Sequence, residues 1–382
     1  MVLPHANWNY PTAVRFGAGR VAELGEACRA LGMKRPLLVT DPGLARLPMV
    51  ADAVAAAGAG LFCAIHSNPV GADVEDGLAA FREGGHDGVV AFGGGSALDA
   101  GKVIAFMSGQ SRPLWDFEDK EDWWSRADPD GIAPVVAVPT TAGTGSEVGR
   151  AGVILDCDAG VKKIVFHPKM LPGIVILDPE LTLGLPAHVT AATGMDALSH
   201  CLEAYCAPGF HPMADGIAAE GMKLIARWLP RAVENGADIE ARGHMLVAAS
   251  MGATAFQKGL GGMHALSHPI GAMLGTHHGL TNAVLMPYML VSNRAAIEER
   301  LARLAGYIGL EDSSFEGFLG WIVELRGSLG IAHTLGEIGV SESDLERIAV
   351  MAEADPSAGG NPLPFDAAAA RGVLEAAMAG RV

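Results

Sequence analysis

The residues best suited to chemistry gather between positions 190 and 280. Gly194-Met195-Asp196-Ala197-Leu198-Ser199-His200 sets a carboxylate and an imidazole four apart, on one face of any helix formed there. Gly262-Met263-His264-Ala265-Leu266-Ser267-His268-Pro269 repeats that spacing with two imidazoles, and Gly275-Thr276-His277-His278-Gly279 adds two more in a glycine-bounded turn. One such pair alone is a common feature of a helix face or of a hydrogen-bonded core. Here the neighbours are apolar and small, and burying an Asp with several imidazoles unpaired is costly. A divalent metal satisfies them together. Imidazoles with one carboxylate suit Fe²⁺, Zn²⁺, Co²⁺ or Ni²⁺ better than a hard, oxygen-loving ion.

A second kind of chemistry is written in two loops. In Val90-Ala91-Phe92-Gly93-Gly94-Gly95-Ser96-Ala97-Leu98-Asp99-Ala100-Gly101-Lys102, an apolar run ends in three glycines and a helical stretch. Such a turn brings backbone N–H groups close to a phosphate, at the positive end of a helix. It fits neither the GxGxxG dinucleotide pattern nor the GxxxxGK[ST] loop, and it also reads as a plain turn. Val138-Pro139-Thr140-Thr141-Ala142-Gly143-Thr144-Gly145-Ser146-Glu147 adds hydroxyls and two glycines at another strand end. Hydroxyl donors suit phosphate and sugar oxygens, though Thr144 or Ser146 also reads as a helix cap. Asp41 ends a third apolar run, where a carboxylate either accepts from a ribose diol or starts a turn. For a dinucleotide, the first reading favours NAD over NADP.

These groups need a scaffold. Pro36–Thr40, Leu61–Ile65, Gly88–Phe92 and Pro134–Val138 read as buried strands, alternating with helices over 45–57, 73–84 and 97–107. Near-continuous apolar strands between helices predict a parallel sheet covered on both faces, with ligands at the strands' carboxyl ends. From Ala187 onward the strand signal vanishes, and helices are predicted over 187–206, 213–235, 239–257, 263–274, 294–307, 314–327, 342–354 and 366–379. Residues 119–131 read as an excursion on the sheet domain. The expected division is an α/β domain over 1–185 and an all-helical domain over 186–382. Lys258, before the His264 helix, reads as a solvated helix end, with contact to an anionic substrate as the alternative.

Composition narrows the function classes. Of 382 residues half are apolar, enough for a large core, which excludes intrinsic disorder. The net charge of −16 argues against nucleic acid or an anionic membrane as partner. No run approaches the ~18 apolar residues of a membrane helix, and Met1–Phe16 lacks the charged and apolar regions of a secretory leader. The five cysteines are scattered without CxxC spacing. They read as inert thiols in a reducing cytoplasm, Cys201 beside the Asp196 motif included.

Over nearly its whole length the chain resembles the iron-containing (group III) alcohol dehydrogenases, relatives of lactaldehyde reductase and 1,3-propanediol dehydrogenase. The likeness starts at Phe16-Gly17-Ala18-Gly19 and is carried by GGGSALDAGK (93–102), PTTAGTGSE (139–147), ATGMDALSH (192–200) and HALSHPIGAMLGTHHG (264–279). It implies a Rossmann-like dinucleotide-binding sheet domain followed by a helical domain, in the manner of dehydroquinate synthase. It implies metal ligands Asp196, His200, His264 and His278, with Fe²⁺ as the metal and Zn²⁺ or another divalent ion as substitutes. Gly94, Gly95 and Ser96 would hold the pyrophosphate of NAD, with Asp99 of the same motif in the cofactor set. Thr140, Thr141 and Thr144 would line the cofactor site, Asp41 would meet the adenosine ribose, and the family's lysine falls on Lys163, beside Lys162. His268 corresponds to a histidine near the nicotinamide, with His277 next as proton relay. The implied reaction is reversible hydride transfer between a short primary alcohol, diol or hydroxy acid and NAD, in a cytoplasmic homodimer or larger homo-oligomer. A dehydroquinate-synthase-like lyase, using NAD only transiently, and a non-catalytic metal- or nucleotide-binding protein are the alternatives. Net NADH formation separates the first alternative, and lack of turnover with metal and NAD bound marks the second.

Overall fold

A computed structural model describes residues 6–8 and 12–382. Residues 1–5 and 9–11, part of the stretch read above for a leader, lie outside the described residues. The chain divides into two compact units, residues 1–141 with 145–184, and residues 142–144 with 185–382.

The first unit is built on strands β1 (Ala6–Trp8), β2 (Ala13–Phe16), β3 (Pro36–Val39), β4 (Gly60–Phe62), β5 (Gly88–Gly93), β6 (Val135–Pro139), β7 (Ala151–Asp156), β8 (Val161–Phe166) and β9 (Ile174–Leu177). Seven of them form one sheet in the order β1-β2-β9-β6-β5-β3-β4, with every pairing parallel except β1–β2. Helices α1 (Leu24–Ala30), α2 (Pro48–Ala57), α3 (Gly71–Glu83) and α4 (Gly95–Met107) connect them. β3, β5, β6 and β9 are buried along their whole length, and this is why they read as continuous apolar runs. β7 and β8 form a separate antiparallel hairpin, which the strand reading above did not anticipate. Nor did it anticipate the four-residue strands β2 and β9. The excursion at 119–131 contains only short 3₁₀ turns.

The second unit is helical among its described residues: α5 (Ala187–Cys206), α6 (Pro212–Glu234), α7 (Ile239–Ala255), α8 (Gly262–Leu274), α9 (His278–Ile308), α10 (Phe315–Ser328), α11 (Leu345–Glu353) and α12 (Ala367–Ala379). Local chemistry sets the ends. His211, Asp238, His277, Ser314 and Asp366 each accept a backbone N–H at a helix start. The expected helix at 294–307 proves to be the second half of α9, which begins sixteen residues earlier. Thr281 to Leu290 are buried on every side, so the segment has no polar face to betray a 3.6-residue period, and Pro287 sits inside it. Lys258 corrects another expectation. Its side chain is only 2% exposed, 2.6 Å from Asp215 Oδ1, with Arg300 3.1 Å from the other oxygen. It is the buried half of a part-buried ion pair, neither solvated nor turned to a substrate.

Candidate metal centre

The switch point of the sheet carries the cofactor candidates of the first unit. The chain steps from β3 outward to β4 and then returns to the other side of β3 as β5, so ligands are expected beyond the carboxyl ends of β3 and β5. Asp41 follows β3, Gly94 follows β5, and Thr140 and Thr141 follow β6, the next strand. Gly93 has φ +144°, a backbone open to glycine, and its carbonyl accepts the N–H of Thr140 at 2.9 Å, joining two of these loops. Gly94 caps α4 with extended backbone and no side-chain hydrogen bond, so the first N–H groups of a thirteen-residue helix are uncapped.

Other members of the predicted set are engaged inside the protein. Asp41 Oδ1 accepts from the N–H of Gly43 and Leu44. Ser96 donates to the carbonyl of Ser67. Asp99 takes the Ser146 hydroxyl on one oxygen, the Val153 N–H on the other, and pairs with buried Lys102, so it ties the two loops together. Lys163 lies on β8, 2.7 Å from Asp156, and over the ring of Trp115. Thr144 belongs to the second unit.

In the second unit four side chains from three helices converge. Asp196 and His200 come from successive turns of α5, His264 from α8 and His278 from the first position of α9. Each offers one ligand atom, and the four atoms lie within 4.8 Å of one another. Asp196, His200 and His264 are buried. Close packing puts them there: a Cβ on Gly279 would lie 2.3 Å from the Ala192 carbonyl and 2.8 Å from Asp196 Cβ, so only glycine lets α9 start against α5. Rings of His200 and His264 stack at 4.9 Å, and His264 lies 5.2 Å from His278.

The outward nitrogens are fixed by groups that the sequence did not reveal. His264 Nδ1–H donates to Glu203 Oε2 at 2.6 Å. Ser267 Oγ is 3.4 Å from His278 Nδ1. Asn282 Nδ2 donates to Asp196 Oδ1 at 2.9 Å and lies 3.3 and 3.2 Å from the Nε2 atoms of His264 and His278. Nε2 of both rings therefore faces inward. Burial pushes the His200 pKa down to about 4, leaving it neutral at pH 7 as a ligand must be. Burial also acts downward on His264, but the Glu203 carboxylate outweighs it and the net shift is upward.

His268 lies one turn beyond His264, its ring stacked 5.4 Å from that of His278. Its Nδ1 donates to Asp355 Oδ2 at 2.9 Å. Burial would raise the Asp355 pKa, but the bond from His268 overcomes this and holds it below the usual carboxylate range. His277, by contrast, is exposed and caps α9 by accepting the Leu280 N–H. The buried thiols Cys201 and Cys206 are both pushed up to about 12 by burial, so neither is a thiolate near neutrality.

The donor set suits a divalent transition metal. Three imidazoles and one carboxylate provide mixed nitrogen and oxygen ligation. Buried His200 Nδ1 has no hydrogen-bond partner, and Glu203 supplies the outer carboxylate typical of metal-bound histidine.

Models of two family regions match this chain. Iron-containing alcohol dehydrogenase covers residues 11–179, and the C-terminal region of the Fe-containing alcohol dehydrogenase family covers 190–378. The 4-hydroxybutyrate dehydrogenase of Cupriavidus necator is 40% identical, over 97% of this chain and 99% of its own. The chain belongs to the iron-containing alcohol dehydrogenase family. The NAD-dependent methanol dehydrogenase of Bacillus methanolicus is 37% identical over 93% and 95% of the two chains. A crystal structure of a 1,3-propanediol oxidoreductase superposes with a TM-score of 0.92 at 34% identity, covering 99% of this chain and all of the other. The resemblance read from the sequence, the parallel-sheet and helical fold and the alcohol dehydrogenase class therefore stand.

Proposed function

We propose that the chain oxidises short primary alcohols, diols or hydroxy acids reversibly to aldehydes with NAD, using one divalent ion, Fe²⁺ first, held by Asp196, His200, His264 and His278. The single observation carrying this reading is the convergence of those four donor atoms within 4.8 Å. When bound, the ion would supply Lewis acidity to a substrate oxygen, and NAD would supply the hydride acceptor or donor. Neutral imidazoles and one carboxylate hold that ion without cancelling its charge. Asp355 keeps the Nδ1–H of His268 engaged, which leaves Nε2 of that ring to take the hydroxyl proton and pass it outward. His277, exposed at the start of α9, is the next carrier.

On the cofactor side, uncapped N–H groups at Gly95 and Ser96 cradle the pyrophosphate after the Gly94 turn. Thr140, Thr141 and Thr144 line the dinucleotide site. The second oxygen of Asp41 meets the ribose diol and disfavours a 2′-phosphate. Asp99 and Lys163 act through the loops they brace, since their charges are already paired. The working boundary between the cofactor and metal domains lies near residue 185. Unpaired cysteines support a reducing cytoplasm, and we read the assembly as a homo-oligomer, which light scattering checks.

The relatives' names span a hydroxy acid and methanol, so the substrate class is a small molecule with a terminal hydroxyl. Screening such alcohols for NADH formation, first with Fe²⁺ and then with Zn²⁺, tests the proposal. Metal-dependent NADH formation supports it. No turnover with one ion and NAD both bound per chain would overturn it.

A further inference from the structure

We propose that Glu203 is a positioning residue for the metal centre, holding His264 as its Nδ1–H tautomer so that the Nε2 lone pair stays on the cation. This rests on the reading that Asp196, His200, His264 and His278 hold a divalent ion.

Glu203 follows His200 by three residues on α5, so Asp196, His200 and Glu203 occupy one face of the helix over two turns. It is 8% exposed, and its carboxylate is met by two backbone N–H groups and by a ring nitrogen of His264. Met263 N–H reaches Oε1 at 2.7 Å, Gly261 N–H reaches Oε2 at 2.9 Å, and His264 Nδ1–H reaches Oε2 at 2.6 Å. The oxygen nearest His264 already accepts the Gly261 N–H, and Nδ1 at 2.6 Å is placed to donate to that same oxygen. The two backbone bonds are those of a carboxylate at the start of α8, and helix capping accounts for them. Capping does not account for the third bond, the shortest, which fixes which His264 nitrogen carries the proton. Charge balance agrees. Asp196 would bear on the cation directly, and Glu203 is met by two backbone N–H groups and His264 Nδ1, so neither carboxylate is left as a costly unpaired buried group.

Glu203→Gln separates the two roles, because the shape is kept while one oxygen becomes an N–H₂ group. If that group replaces Oε2, it confronts the Gly261 N–H and donates to His264 Nδ1, forcing the proton onto Nε2. If it replaces Oε1, it confronts the Met263 N–H. Outer carboxylates of this kind typically contribute about 10–100-fold to metal affinity. The experiment titrates the stripped, full-length protein with Co²⁺ and follows the visible d–d bands, comparing wild type with Glu203→Gln and Glu203→Asp. Circular dichroism checks folding. We expect one Co²⁺ per wild-type chain and about 10–100-fold weaker binding with altered bands in Glu203→Gln. Equal affinity and unchanged bands, with only a lowered melting temperature, would reduce Glu203 to a helix cap and overturn the inference. Wild type that takes no Co²⁺ at these residues would instead overturn the underlying metal reading. Should both variants fail to fold, ¹⁵N-histidine labelling of the Zn²⁺-loaded wild type decides. A protonated, slowly exchanging Nδ1 on His264 supports the proposal, and a bare Nδ1 contradicts it.

Discussion

At the scale of single residues, two histidines one turn apart on α8 have different partners. His264 turns Nε2 inward, toward Asn282, with Glu203 behind it, whereas His268 is anchored by Asp355 and stacks on His278. Replacing His264 with Ala removes one of the four proposed ligands and should abolish metal retention, read as metal per chain after gel filtration. His268→Ala keeps the metal and loses turnover by about 10²–10⁴-fold, the usual worth of a general acid–base. Equal metal loss in both variants would refute this division of roles. Asp355→Asn should reproduce part of the His268→Ala defect with metal content unchanged, since it unsettles the ring proposed as proton relay. The i, i+4 spacings on α5 and α8 announced Asp196, His200, His264 and His268. Glu203, Ser267, Asn282 and Asp355 gave no such signal, because each acts through a partner that only the folded chain brings near. Asp355 lies 87 residues from its histidine.

At the scale of elements, the start of α9 is the tightest joint of the centre. Gly279→Ala would press a methyl into the Ala192 carbonyl and Asp196. We expect a loss of about 1–3 kcal/mol in urea unfolding, the common range for overpacking, together with weaker metal binding. A change in neither would contradict the packing described. The ion cluster between α6, α9 and the turn before α8 makes a separate prediction. Asp215→Asn leaves Lys258 buried without its counter-charge and should cost about 3–5 kcal/mol. Burial alone would raise the Asp215 pKa, but Lys258 and Arg300 outweigh it and lower it below 3.8. The stabilisation is thus complete above pH 4 and fades as pH falls through the depressed folded-state value. The unfolding difference between variant and wild type should shrink over the same acid range. Strands β3, β5 and β6 were readable because full burial makes them apolar throughout. The same burial hid the first half of α9, where no polar face remains, while β2 alternates buried with partly buried residues and shows no continuous apolar run.

At the scale of the whole molecule, a net charge of −16 surrounds a site meant for small hydroxyl compounds. Such a field repels anions and is screened over about 10 Å at 0.1 M salt. With NAD saturating, kcat/KM for a hydroxy acid should therefore rise with added salt while that for a neutral diol stays flat. Parallel salt profiles would show that the global charge does not reach the site. The proposed chemistry depends above all on one cation among four side chains of the helical unit. Anomalous diffraction at the iron edge from crystals of the Fe²⁺-loaded protein tests it most directly. The predicted result is a single peak per chain, about 2.0–2.2 Å from an atom of each of Asp196, His200, His264 and His278. A peak elsewhere, or none at those residues in a fully loaded and active protein, would contradict it.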